Sequence, residues 1–328
     1  MNSLLRFLGC CLLFAAVPAA ARDNLDRVIL FPKLRVGQII RYQIGYRATT
    51  DMNTESSVAA PMAPTGGQAN ANILLQVEVE DLRKDAGETL ARLRTTVVEP
   101  ASLAANASPP LNNPQSPSSA VKSSQPDKIV ELTLRGDGQV TDVQGFDKLS
   151  PDERAAWQEW VERFGGGAAF PEKGVRPGEK WKSNEPIRDS LLAGLSWEKE
   201  SEYVNDAPCA AMKLTPQGDP SAVKQSQETC AVILTTAILK QKSSPKDATP
   251  EDYKLHNLRN MGTAQGKNQI ISYFSLATGL VVRATEDANQ SMNVIVATAN
   301  NSNRVHYTIE AESHARVILL ADLSANQH

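Results

Sequence analysis

Short stretches in which apolar side chains recur at every second position dominate the chain, and they point to β-strands. IIRYQIGYRA at 39–48, ILLQVEVEDL at 73–82, TLARLRTTVVE at 89–99, IVELTLR at 129–135 and QVTDVQG at 139–145 form one series. A second runs through SWEKESEYVN, AAMKLTP, AVILTTAILK, NQIISYFSL, GLVVRATED, SMNVIVATA, VHYTIEA and ARVILLA. Turn residues separate neighbours: KDAGE between the second and third strands, and Gly136-Asp137-Gly138 between the fourth and fifth. The acids Glu78, Glu80 and Asp81, and likewise Glu198, Glu200 and Glu202, sit within these runs. The period-two spacing of Glu78 and Glu80, and of Glu198, Glu200 and Glu202, assigns them to the solvent face of half-buried sheets rather than to a catalytic pair.

One segment departs from the strand period. Ser150-Pro151-Asp152-Glu153 supplies an N-cap, a proline at the first helical position and a capping-box acid. Trp157, Trp160, Val161 and Phe164 then share one helical face, and Gly165-Gly166-Gly167 ends the pattern. A helix is predicted over about 150–165. Its aromatic stripe reads as a core-facing surface, because a helix lying on a sheet must bury one side.

Three stretches lack the apolar content to pack: 49–70, 101–127 and 240–266, rich in Ala, Ser, Pro and Asn or in charge. They read as disordered loops. The rest shows a possible internal repeat. Shifted by 141 residues, Gly37 falls on Gly178 and Gly138 on Gly279; shifted by 140, ETLARLRTT lies over ETCAVILTT. FPKLRVGQIIRY and FPEKGVRPGEKW enter the two copies through a Phe-Pro loop and a strand-starting glycine. Tyr42 and Trp181 are then the first bulky anchors under each sheet. The expected fold is mainly β and antiparallel, with two similar half-barrel-like modules from an internal duplication and one prominent helix, either as two lobes or as one large curved sheet. The expected organisation is a signal peptide at 1–21, a first module at 22–165 and a second at 166–328.

The N-terminus sets the compartment. Arg6 is the only charge in the first 21 residues, FLGCCLLFAAV is a short apolar core, and Ala19-Ala20-Ala21 precedes Arg22 as a small-residue cleavage site. That is the secretory pattern; the competing reading is a buried N-terminal helix. Removing Arg6 with that segment leaves 33 basic against 37 acidic residues, a net charge of −4. Lys and Arg are nowhere concentrated as a nucleic-acid surface requires, and no further apolar run reaches spanning length. A secreted or periplasmic product is expected.

Cys209 and Cys230 remain in the mature chain. An even pair in an exported protein suggests one disulfide, with two free buried thiols as the alternative. It would close a loop worth about 3 kcal/mol in the chain-entropy model. His256, His306, His314 and His328 have no His or Cys at ligand spacing, so neither a metal nor a cofactor is expected. No zinc-protease, nucleophile-elbow or phosphate-loop motif occurs. The general look is similar to that of bacterial envelope proteins, a resemblance that supplies no site. The expectation is a non-enzymatic envelope protein offering a binding or interaction surface, with an apolar ligand such as a lipid or another envelope protein as partner. A structural role through a sheet edge is the alternative, and an extracytoplasmic hydrolase a more distant one.

Overall fold

A computed structural model of the chain describes residues 27–320 apart from 58–64, 86–87, 99–127, 137, 165–169, 188–189, 210–211, 215–219, 223–227, 299 and 301–302. The expected signal peptide at 1–21 and the expected disordered loop at 101–127 therefore lie outside the described residues.

Five strands form the first meander: β1 (Ile39–Ser56), β2 (Thr65–Asp85), β3 (Glu88–Val98), β4 (Ile129–Arg135) and β5 (Val140–Gln144). A 3₁₀ turn at Phe146–Lys148 leads into helix α1 (Pro151–Phe164). The second series is β6 (Lys180–Pro186), β7 (Leu195–Pro208), the short β8 (Met212–Leu214) and β9 (Pro220–Ala222), β10 (Thr229–Gln241), the five-residue α2 (Glu251–Leu255), β11 (Leu258–Ser275), β12 (Val281–Thr298) and β13 (Arg304–Leu320). The main path across the sheet is β5-β4-β3-β2-β1-β13-β12-β11-β10-β7-β6, antiparallel throughout. The last strand returns to the first, with Arg41 beside Leu320, so the two series make one continuous sheet rather than two lobes.

Two loop expectations are corrected. Residues 49–56 and 65–70 are strand, and 258–266 belong to β11. Their composition is polar, but each lies beside a full-length partner that supplies its ladder: Asp51 pairs with Glu310, and Gly266 with Gln290. Pairing of this kind overrides a weak local preference. Likewise GLVVRATED and SMNVIVATA are one strand, β12, and VHYTIEA and ARVILLA are one strand, β13.

The two entry turns match in detail. Gly37 and Gly178 have φ of 78° and 81°. Gln38 N–H donates to Arg35 O and Glu179 N–H to Arg176 O, both at 3.0 Å. The side chains of Gln38 and Glu179 accept from the Arg35 and Arg176 amides, each at 3.1 Å. These are type II turns, which need glycine at the third position and favour the proline found at 177. Gly138 and Gly279 close the β4–β5 and β11–β12 hairpins at φ of 83° and 70°. The likeness is one of turn geometry and strand order. β1 and β2 have 18 and 21 residues whereas β6 and β7 have 7 and 14, and duplication is not established by it.

One face of the sheet holds the main core, with members from β4 (Leu132) across to β7 (Tyr203) and from α1 (Trp160). The entry loops close its end: Val28 and Val175 form a β-bridge, and Phe31 meets Phe170 edge-on at 6.3 Å. A second cluster, with Leu192, Leu195, Leu239 and Val294, lies toward the other end. On the opposite face Cys209 and Cys230 pack with Val282.

Candidate ligand-binding face

Helix α1 is built as its sequence dictates. Ser150 N–H donates to Glu153 Oε2 at 2.9 Å and Glu153 N–H to Ser150 Oγ at 3.3 Å, a reciprocal capping box. Burial acts to raise the Glu153 carboxyl, but Lys128 at 2.6 Å and the Ser150 bonds outweigh it and hold the group below its usual range. The apolar stripe faces the sheet. Trp157, Trp160 and Phe164 are buried, as is Tyr42 of β1 beneath them. Trp160 stacks on Phe164 with ring centres 4.8 Å apart, and Tyr42 meets Phe164 edge-on at 5.9 Å. Trp157 Nε1 donates to Thr95 Oγ1 at 3.0 Å, and Thr95 in turn donates to Val130 O at 2.8 Å.

Not every polar atom in this layer is satisfied. Tyr42 Oη and Trp160 Nε1 are buried without a hydrogen-bond partner, as is Trp181 Nε1 at the closed end. Trp181 there packs beside Phe170, with ring centres 5.8 Å apart. Burial pushes the Tyr42 phenol far above its ordinary value, so the hydroxyl keeps its proton and can donate.

The C-terminal turn of α1 is tied down by charge. The Arg163 guanidinium bonds Glu159 at 2.8 Å and Glu162 at 3.2 Å, and it ion-pairs with Glu286 on β12. Asn268 of β11 donates to the same Glu286 carboxylate. Burial alone would lower the Arg163 pKa; Glu159 and Glu162 outweigh it and keep the group charged. Beyond this lock the inward side chains of the long strands become small or polar. One cross-strand row is Ala48, Ser313, Ala288 and Asn268, and the next is Thr50, Ala311, Gln290 and Gly266. These half-buried positions form the floor between α1 and the second cluster.

The outer face is polar. Glu80 and Glu131 pair with Arg92, and Glu200 and Glu202 with Lys180. The acids thus serve cross-strand ion pairs. At the sheet centre, Arg47, Thr49, Asp287, Asn289, Glu312 and His314 line an open depression of about 380 Å³, with His314 Nδ1 2.7 Å from Asp287 Oδ1. Among the described residues no helix is long and apolar enough to cross a membrane, and no group of His, Cys, Asp and Glu is arranged to hold a metal ion.

The structure scatters the residues singled out by sequence. Trp157 and Trp160 lie on the buried side of α1, Trp181 at the closed end, and Gly37, Gly178, Gly138 and Gly279 in turns. Cys209 and Cys230 form a disulfide on the far face, with Cα atoms 5.1 Å apart. Sequence reasoning missed Arg163, Glu286 and Asn268. A signal was present: Glu286 occupies an inward position between Ala284 and Ala288, where an acid is out of place.

No family model matches the chain, and no curated protein does. Among solved structures it is similar to a candidate lipoprotein of Parabacteroides distasonis, at TM-score 0.27 and 8% identity over 90% of this chain and 98% of that one. An outer-membrane channel from Pseudomonas putida matches at TM-score 0.17 and 10% identity, covering 88% and 98%. A mutant porin of Rh. blastica matches at TM-score 0.19 and 7% identity, covering 85% and 99%. Likeness at these scores carries no argument about fold or function.

Proposed function

We propose that this is an exported, non-catalytic protein of the cell envelope whose helix-bearing face takes an apolar ligand such as a lipid, with α1 as the plug that covers it. The observation that carries the reading is the set of unpartnered donors in the main core, Tyr42 Oη and Trp160 Nε1 beneath α1 and Trp181 Nε1 at the closed end. A buried donor left unpaired costs about 1–3 kcal/mol. A layer shaped only for permanent packing would place apolar rings at these positions. Donors held ready beside an apolar surface suit a ligand with a long apolar body and a few acceptor oxygens. The Cys209–Cys230 disulfide supports an oxidising, extracytoplasmic location.

The test is native mass spectrometry and solvent extraction of the protein purified from its own host. A bound amphiphile, recovered reproducibly and lost on Trp160→Ala, is the expected result. Repeated recovery with no bound species overturns the proposal.

A further inference from the structure

The segment that leads into β1 crosses the closed end of the sheet as a strap. Val28 bridges to Val175 of the other entry segment. Lys33 N–H donates to Thr278 O in the β11–β12 turn, and Gly37 N–H to Val79 O on β2, both at 2.8 Å. The inward half of the strap belongs to the core, with Leu30 buried and Val28 and Leu34 packed against the main cluster.

The outward half has a different composition. Its exposed charged and apolar side chains are Arg27, Ile29, Lys33, Arg35, Val36 and Ile39: three cations, three aliphatics and no acid. Val36, at the tip of the turn, is 60% exposed. Single exposed aliphatics are ordinary on a protein surface. Here, of the eight large apolar side chains exposed among the described residues, three fall between 29 and 39. The backbone that carries them is pinned at three points, so they are held outward by structure.

The charge of the strap runs against that of the chain. No acid occurs between 27 and 39, in a sequence whose formal net charge is −3. Arg27 is paired with Glu179. Lys33 Nζ donates to the carbonyls of Leu276 and Ala277, which leave its charge uncancelled. The second entry segment sets Lys173 and Arg176 against Glu172 and Glu179 and so adds no net charge. Glu78, opposite Ile39, has Arg94 as its other cross-strand neighbour.

We infer that this strap docks the closed end of the sheet on an anionic lipid surface. Aliphatic side chains standing among Lys and Arg, with acids excluded, match a bilayer with negative headgroups: its boundary takes up apolar groups and its surface attracts cations. The six side chains are strung along a strap that reaches from Val175 to Val79. That spread suits a planar partner, whereas a small ligand needs a concave site. Each cation at such a surface is worth about fivefold in partitioning. The inference does not rest on the ligand reading above.

Vesicle co-sedimentation of the protein purified from its own host tests this, with phosphatidylcholine alone against an equal mixture with phosphatidylglycerol. The protein is expected to sediment with the mixed vesicles, much less with phosphatidylcholine, and to be released by salt. Lys33→Gln with Arg35→Gln is expected to weaken binding to mixed vesicles about twentyfold. Val36→Ser is expected to weaken it too, whereas Ile238→Ser, at an exposed aliphatic on β10, leaves it unchanged. All of these lie at the surface, and an unchanged far-ultraviolet spectrum confirms the fold. The strap variants should keep any lipid that solvent extraction recovers from the wild type, so docking and ligand binding fail separately. Equal binding to both kinds of vesicle overturns the inference, and so does either strap variant binding as tightly as wild type. Vesicles left empty, with the strap instead cross-linked to an acidic protein, overturn it in favour of a protein partner.

Discussion

Replacing Arg163 by leucine should be the most damaging single change at the helix–sheet junction. Arg163 meets three carboxylates, and their exposure decides which matters. The Glu162 side chain is 52% exposed, so water can replace the lost contact at little cost. Glu159 is 19% exposed and lies on the same helix, where a pair contributes only about 0.3–0.5 kcal/mol. Glu286 is 10% exposed and Arg163 8%, so removing the guanidinium strands a buried carboxylate whose remaining described donor is Asn268. Breaking such a pair from one side costs about 3–5 kcal/mol, whereas replacing both members by apolar groups is often neutral or stabilising. Arg163→Leu should therefore lower the urea midpoint by about 1 M or more. The double variant with Glu286→Leu should recover most of that loss. Urea titration followed by tryptophan emission reads α1 directly, since Trp157 and Trp160 lie on it. A single variant that costs under about 1 kcal/mol, or a double variant no better than the single, refutes the argument that desolvation of Glu286 sets the penalty.

Two further predictions follow from the turns and the helix cap. At Gly279 an added Cβ would lie 1.9 Å from Phe31 O at φ of +70°, while at Gly37 it meets nothing within 4 Å at φ of +78°. Gly37→Ala should cost only the left-handed penalty of about 1–2 kcal/mol, and Gly279→Ala clearly more by thermal denaturation; equal losses would mean the entry loop yields freely. Glu153 has its folded pKa held below the ordinary 4.5. Its stabilising contribution is therefore present above that value and lost as pH falls through the folded one. Glu153→Gln should be less stable than wild type at neutral pH, with the gap closing on acidification. A gap that stays constant into the acid range would contradict this sign.

Local features were legible from residues alone because their causes are local. The capping box at Ser150–Glu153, the inward aromatic stripe of α1, the turn glycines and the period-two strands depend on neighbours a few positions away. The candidate face was legible only in half. Trp157 and Trp160 could be assigned to a buried surface, but nothing near them in the chain names Tyr42 as the ring they cover or Glu286 as the partner of Arg163.

Strand ends and sheet closure were decided by tertiary structure. The polar segments at 49–56, 65–70, 288–290 and 312–314 have too little apolar content to specify strands, yet each lies within one. For 49–56 and 312–314 the ladder is completed by a strand remote in sequence, as where Thr49 meets Glu312, and for 65–70 and 288–290 by the strands next in the chain, as where Ala288 meets Ser313. The same long-range pairing of β13 with β1 merges two strand series into a single sheet. Residue pattern sets which face of a strand turns inward; which strand lies beside it, and how far the pairing runs, depends on contacts that close only when the whole chain has folded.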